Sequence, residues 1–185
     1  MEKQNTETQK SAKQEHTTHL AAGSLVSKAD SRIEFRGRLD SLCALVVELQ
    51  IRFLKNGCPE AAEELEAVRL RLVDLLICDV TEKPCEKADL WGFSAEELHK
   101  RSHYPEKYYG IGHIRPHFSM GDTASGLNLL RTQVREAEVA ACRAFETGSG
   151  VERPDIVEFL NRLSSALYVL TYKYLPKGYD KIVQF

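Results

Sequence analysis

Three charged side chains on one predicted helix carry the clearest chemistry of this sequence. Arg131, Arg135 and Glu138 are spaced by four and then three residues, so a helix would place them on one side. Arginines this close repel each other, so their placement indicates that an anion lies against both. The planar guanidinium is well suited to bind polyphosphate. Glu138 would then orient Arg135 or reach a phosphate-bound magnesium ion. The alternative is a solvated helix face with an ordinary ion pair between Arg135 and Glu138.

The last long helix has polar residues inside an apolar pattern. Asn161, Ser165 and Tyr168 share one face of it. An asparagine in a helix interior costs about half a kcal/mol relative to alanine, so a specific contact is expected there. A hydrogen bond to another helix and a contact with a ligand are both open.

Charged residues also gather where the first long helix begins. A helix start offers free N–H groups and a partial positive charge, which suits phosphate. Local caps and surface ion pairs are the alternative. The residues concerned are Lys28, Asp30, Arg32, Arg36, Arg38 and Asp40.

Histidines occur in two pairs spaced by four residues, His99 with His103 and His113 with His117. Such pairs can bind a metal on a helix, but no complete ligand set is visible, so we expect no metal site and favour capping or loop hydrogen bonds. The sequence also contains no P-loop, GxGxxG, HExxH or nucleophile-elbow motif.

Apolar residues recur at three- and four-residue steps in four long segments and indicate helices. Two capping boxes, Ser31 with Glu34 and Ser94 with Glu97, mark helix starts.

No segment alternates with period two, so the predicted fold is all-α, an antiparallel bundle of four long helices plus one short helix. The aromatic segment 104–120 is predicted to be a long functional loop. The predicted helices run from 31 to about 56, 59 to about 80, 94 to about 104, 122 to 147, and 154 to about 175.

Composition limits the classes of function. The 185 residues carry a net charge of -2, so no general basic field attracts nucleic acid or anionic lipid. Five cysteines in no C-x-x-C pair indicate reduced thiols in the cytoplasm, and no apolar run is long enough to cross a membrane. Residues 1–17 are polar, unlike a signal peptide, and are predicted to be a disordered tail before a bundle domain at 18–185.

Two helical segments carry a family resemblance. SGLNLLRTQVREAEVAA (125–141) and RPDIVEFLNRLSSALYVL (153–170) resemble the PduO-like ATP:corrinoid adenosyltransferases, whose Arg-x3-Arg-x2-Glu helix precedes an Asn-Arg-Leu-Ser helix. KADSRIEFRGRLDSL (28–42) is similar to the family's bundle entrance. THLAAGSLVSKADSR and ELHKRSHYP resemble the ethanolamine-utilisation branch in particular. The similarity covers residues 17–172 in order.

The resemblance implies a five-helix bundle that forms a homotrimer or homodimer with ATP at the subunit junctions. It implies that Lys28, Arg131 and Arg135 hold the triphosphate, and that Glu138 supports the second arginine or a divalent metal such as Mg²⁺. By the same resemblance, Asn161 contacts the nucleoside.

Two further roles are implied for other positions. Asp40 would pair with Arg131 of a neighbouring subunit. An aromatic residue would displace the lower nitrogen ligand of the corrinoid, and the candidates here are Tyr108, Tyr109 and Phe118. The sequence departs from the family at the N-terminal phosphate loop, where residues 18–28 stand instead, and at Ser165, where the family commonly has Asp.

The implied function is transfer of the 5′-deoxyadenosyl group of ATP to the cobalt of cob(I)alamin, giving adenosylcobalamin and triphosphate. Cobalt(I) is itself a strong nucleophile, so the enzyme needs no nucleophilic side chain. Ethanolamine ammonia-lyase is the implied recipient, a corrinoid reductase is a further partner, and the expected location is the cytoplasm, in association with a bacterial microcompartment. The alternatives are a corrinoid and ATP carrier or sensor without turnover, and a helical scaffold.

Overall fold

The computed structural model describes residues 14–20 and 24–183, and helices account for most of them. The predicted all-α class is confirmed. Four of the helices are long and two are short. The helices are α1 (Ser31–Lys55), α2 (Pro59–Thr81), α3 (Ala95–His103), α4 (Pro105–Tyr109), α5 (Gly121–Phe145) and α6 (Pro154–Lys173).

The long helices form an antiparallel bundle. α1 packs between α2 and α5, α5 packs against α6, and α3 lies against α6. Arg38 pairs with Glu136 at one end of the α1–α5 contact and Arg52 with Asp122 at the other, so these two helices run in opposite directions. This order brings the polar faces of α5 and α6 side by side.

The predicted apolar stripes form the core. Leu39, Val46 and Phe53 of α1 are fully buried, and so are Leu72 of α2 and Leu130 of α5. Burying a side chain of this size stabilises the fold by roughly 1.5–3 kcal/mol. The core therefore fixes which faces of α5 and α6 remain accessible.

Both predicted helix starts are confirmed, since α1 begins at Ser31 and α3 directly after Ser94, but the capping residue of α1 differs from the prediction. Ser94 caps α3, because its hydroxyl accepts from the backbone N–H of Glu97. The predicted box of Ser31 with Glu34 does not form, since the carboxylate of the preceding Asp30 caps α1 by accepting from Arg32 N. Aspartate is as good a cap as serine, and the cap position falls one residue earlier.

The structure also contains short elements that the sequence pattern did not predict. Strands β1 (Thr17–His19) and β2 (Leu25–Ser27) pair antiparallel, as do β3 (Glu146–Thr147) and β4 (Gly150–Val151). Strands of two or three residues are too short to give a period-two signal. The segment 104–120 is not all loop, since it includes α4 and a 3₁₀ turn at 118–120.

The predicted disordered tail falls largely outside the described residues. Its last four positions, 14–17, are described as a turn that leads into β1, and Thr17 donates to the carbonyl of Gln14. The proposed boundary of the bundle domain at residue 18 therefore lies inside β1.

We expect Gly126→Ala to destabilise the bundle by about 1–3 kcal/mol, because α5 approaches α1 closely there. A Cβ at this position would lie 2.9 Å from Leu49 Cδ2 and 3.0 Å from Phe53 Cζ. Urea unfolding measures the change. Gly37→Ala is the control, because a Cβ there meets nothing within 4 Å and should gain up to about 1 kcal/mol of helix propensity. Equal effects at both sites would contradict the proposed close contact.

Candidate anion-binding cleft

A cleft of about 430 Å³ opens between the polar faces of α5 and α6. The end of α3 and the segment around Ile114 close its sides. Its lining combines basic, hydroxyl and imidazole groups: Ser102, His103, His113, Ile114, Arg131, Arg135, Ser164, Ser165, Tyr168 and Val183.

The two predicted arginines of α5 both line this cleft. Arg131 is half-buried, donates from Nε to the side-chain oxygen of Asn128 at 3.1 Å, and lies 5.5 Å above the Tyr168 ring centroid. Burial, and then the positive charge of Arg135, lower the pKa of Arg131. Within the described ranges neither arginine forms an ion pair with a carboxylate. Their charge is thus available to a bound anion.

Glu138 does not make the ion pair with Arg135 that the sequence left open. Its Oε1 instead accepts from the side-chain nitrogen of Asn161 at 2.9 Å, which joins α5 to α6. The bridging alternative for Asn161 is therefore confirmed. A contact between Asn161 and a ligand remains a prediction.

Tyr168 ties the cleft wall to α6. Its hydroxyl accepts from the backbone N–H of Ile114 at 2.9 Å and lies 3.0 Å from the Tyr172 hydroxyl. Tyr172 in turn donates to the carbonyl of Gly112 at 2.9 Å, and the rings of His113 and Tyr168 are stacked. Two tyrosines therefore hold the segment 112–114 against the cleft.

The charged residues at the start of α1 fall into two groups. Arg32 and Arg36 bind the fully buried Asp79 of α2 at 2.9 and 2.6 Å, so these arginines are structural. Lys28 and Asp40 are exposed, line none of the described cleft, and form no ion pair within the described part of the chain.

A second cleft of about 450 Å³ adjoins the first, and His103 and His113 line both. Tyr104, Pro105 and Gly112 contribute apolar surface to it, and the charged Glu106 and Lys107 also line it. Most of its lining falls in the segment 104–120, which the sequence predicted to be functional, but the sequence did not predict a cleft there, because the residues come from the ends of α3 and α4 and from a loop. The four-residue spacing of the histidines suggested only metal binding or capping.

The three predicted aromatic residues have different surroundings. Tyr109 stacks on Tyr172 with ring centroids 4.7 Å apart, and burial raises its hydroxyl pKa. Tyr108 lies beneath the guanidinium of Arg101, at 4.8 Å. Phe118 is 90% exposed, which makes it the most accessible of the three to a ligand.

No group of three or more His, Cys, Asp or Glu side chains is arranged to hold a metal ion among residues 14–20 and 24–183. Over the same ranges, no helix combines the length and the apolar character required for a membrane span. All five cysteines are free thiols.

Fold and site together define a helical bundle with a basic cleft beside a more apolar one. The cobalamin adenosyltransferase family matches residues 9–174, and the chain belongs to this family.

Named relatives are similar over most of the chain. Corrinoid adenosyltransferase EutT of Salmonella typhimurium is 42% identical over 154 residues, and EutT of Escherichia coli K12 is 44% identical over the same number. These alignments cover 83% of the chain and 56% of each relative. The chain thus spans a little over half the length of the relatives it matches.

We expect Tyr168→Phe to loosen the cleft wall, because the Ile114 N–H would lose its acceptor. Hydrogen exchange at the Ile114 amide should speed up about five- to fifteenfold, as expected for one lost hydrogen bond. Tyr104→Phe, at a 65% exposed position, is the control and should leave this exchange rate unchanged. Unaltered Ile114 exchange in Tyr168→Phe would show that other contacts hold the segment.

Proposed function

We propose that the chain is the catalytic bundle of a corrinoid adenosyltransferase that uses ATP. Cob(I)alamin attacks the 5′ carbon of ATP, the cobalt–carbon bond forms, the carbon–oxygen bond breaks, and triphosphate leaves with the bonding electron pair. Family membership supports this reaction, and EutT relatives named as corrinoid adenosyltransferases support a corrinoid as the acceptor. The single observation that carries the proposal is the pair of arginines in the α5–α6 cleft that have no carboxylate partner among residues 14–20 and 24–183.

The triphosphate binds at Arg131 and Arg135. A half-buried guanidinium beside a second one is electrostatically unfavourable, as the lowered pKa of Arg131 indicates. A polyphosphate would relieve this repulsion, and the charge of the leaving triphosphate would be neutralised where it is released. Ser164 and Ser165 line the same cleft, and both hydroxyls donate to the backbone carbonyl of Asn161.

The residues present suit a phosphate-bound magnesium ion or another divalent metal. Mg²⁺ typically binds through one or two carboxylates together with substrate phosphates and waters. Glu138 offers such a carboxylate, because its hydrogen bond from Asn161 occupies only Oε1 of Glu138. The metal would supply charge neutralisation at the phosphates, while Arg131 and Arg135 orient them.

The corrin ring binds in the adjoining apolar cleft. His103 and His113 line both clefts, so ligands in the two would meet there. Tyr108, Tyr109 and Phe118 remain the candidates for displacing the lower ligand. The exposure of Phe118 favours it, because an apolar ring 90% exposed can be covered by a ligand or a second subunit.

Lys28 and Asp40 complete the site from a neighbouring copy of the chain. Both are exposed and neither lines the cleft of its own chain, which is compatible with a role across a subunit junction. Asp40 would pair with Arg131, and Lys28 would contact the triphosphate, in a homotrimer or homodimer. The product would pass to ethanolamine ammonia-lyase in the cytoplasm, in association with a microcompartment, and a corrinoid reductase would supply cobalt(I).

We expect Arg135→Ala to lower the rate of adenosylcobalamin formation by about 100- to 1,000-fold, the usual loss when a donor to a developing anion is removed. Anaerobic assays with ATP and chemically reduced cobalamin measure the rate spectroscopically. Arg143→Ala, on the same helix and exposed, is the charge-matched control and should retain the wild-type rate.

Turnover of Arg135→Ala at the wild-type rate would exclude this cleft as the phosphate site. Cobalamin binding without adenosylation, with every divalent metal tested, would instead favour the carrier or sensor. Failure to bind either ATP or corrinoid would leave a helical scaffold.

A further inference from the structure

We propose that His99 is a positioning residue that orients Asn161 for the nucleoside through Arg162. The proposal rests on the function proposed above and adds a residue of α3 that lines neither of the two clefts. It concerns the orientation of one amide group, which His99 fixes without contacting the substrate.

A continuous hydrogen-bond chain crosses three helices. Arg162 Nη1 donates to His99 Nδ1 at 2.9 Å and to Asn161 Oδ1 at 2.8 Å. Asn161 Nδ2 then donates to Glu138 Oε1 at 2.9 Å. The chain therefore runs from α3 through α6 to α5.

The donors and acceptors along this chain allow a single arrangement. A guanidinium N–H can only donate, so His99 Nδ1 accepts and the ring proton of the neutral imidazole resides on Nε2. Likewise Asn161 must turn its oxygen to Arg162 and its nitrogen to Glu138. A flipped amide would bring its N–H groups against Arg162 and its oxygen against the carboxylate, and both contacts are repulsive.

The fixed amide retains one N–H and one oxygen lone pair for a ligand. A donor and an acceptor in this arrangement complement a purine edge or a ribose hydroxyl, and their orientation depends on Arg162 staying in place. His99 is the second acceptor that holds the guanidinium. Without it, Arg162 can rotate and Asn161 loses its preorganisation.

His99 must be neutral to accept this hydrogen bond. Burial, then the charges of Arg162 and His103, lower its pKa below the ordinary 6.5. The recess lined by His99 and Arg162 also holds Lys87, Asp89, Glu96 and Glu158, so the field at the imidazole includes charges of both signs. A proton on Nδ1 would abolish the acceptor and place two cations in contact.

The experiment compares His99→Phe, which keeps a ring without an acceptor, with His99→Asn, whose Oδ1 can occupy the position of Nδ1. We expect KM for ATP to rise about five- to tenfold in His99→Phe and to return to within about twofold of wild type in His99→Asn. KM for cobalamin should stay unchanged in both. Lys100→Ala, on the exposed face of the same helix, is the control.

A pH profile distinguishes positioning from general stability. As the pH falls below 6.5, wild-type KM for ATP should rise because His99 gains a proton, whereas His99→Asn carries no titrating group there and should rise less. This comparison uses two folded, active proteins and remains decisive if His99→Phe fails to fold.

A readout that needs no turnover separates this proposal from the proposed function. In isotope-labelled protein, the side-chain amide protons of Asn161 should exchange with solvent faster in His99→Phe than in wild type or His99→Asn. Equal exchange in all three would overturn the positioning role whatever the activity. If the exchange is faster in His99→Phe but the wild-type protein never adenosylates cobalamin, the positioning role is upheld and the proposed function is refuted.

Discussion

The site depends on two guanidinium groups on α5 that face a cleft and that no carboxylate of the described residues pairs with. Arg131 is half-buried, and burial and the charge of Arg135 lower its pKa, so a polyanion bound beside both arginines would relieve their repulsion. Glu138 lies one turn from Arg135 but is bound to Asn161 across the helix interface. The packing of α5 on α6 therefore forms the cleft and also engages Glu138, so that Glu138 does not pair with Arg135.

The rest of the bundle supports this arrangement. The core stripes fix the rotation of α5 and α6, so their polar faces meet side by side. Tyr168 and Tyr172 hold the segment 112–114 as one wall. Elsewhere in the described chain, the buried Asp79 neutralises Arg32 and Arg36, so those basic residues serve stability while the α5 arginines remain available.

The sequence predicted the long helices well because apolar periodicity reports directly on burial, and every predicted stripe residue discussed for α1, α2 and α5 is buried. It also predicted that Arg131 and Arg135 share a site. It did not predict the Asp30 cap, the short hairpins or the partner of Glu138. A cap shifted by one residue and strands of two or three residues leave little local pattern, and the Glu138–Asn161 bond joins positions 23 residues apart. The second cleft was missed for the same reason, since loop and helix-end residues meet only in three dimensions.

The central claim is that the α5–α6 cleft binds a polyphosphate. Isothermal titration calorimetry with inorganic triphosphate tests it most directly, because it requires neither corrinoid nor turnover. We expect binding that weakens with added salt and is lost in Arg131→Ala, while the fold persists. Triphosphate binding of equal affinity in wild type and Arg131→Ala would contradict it.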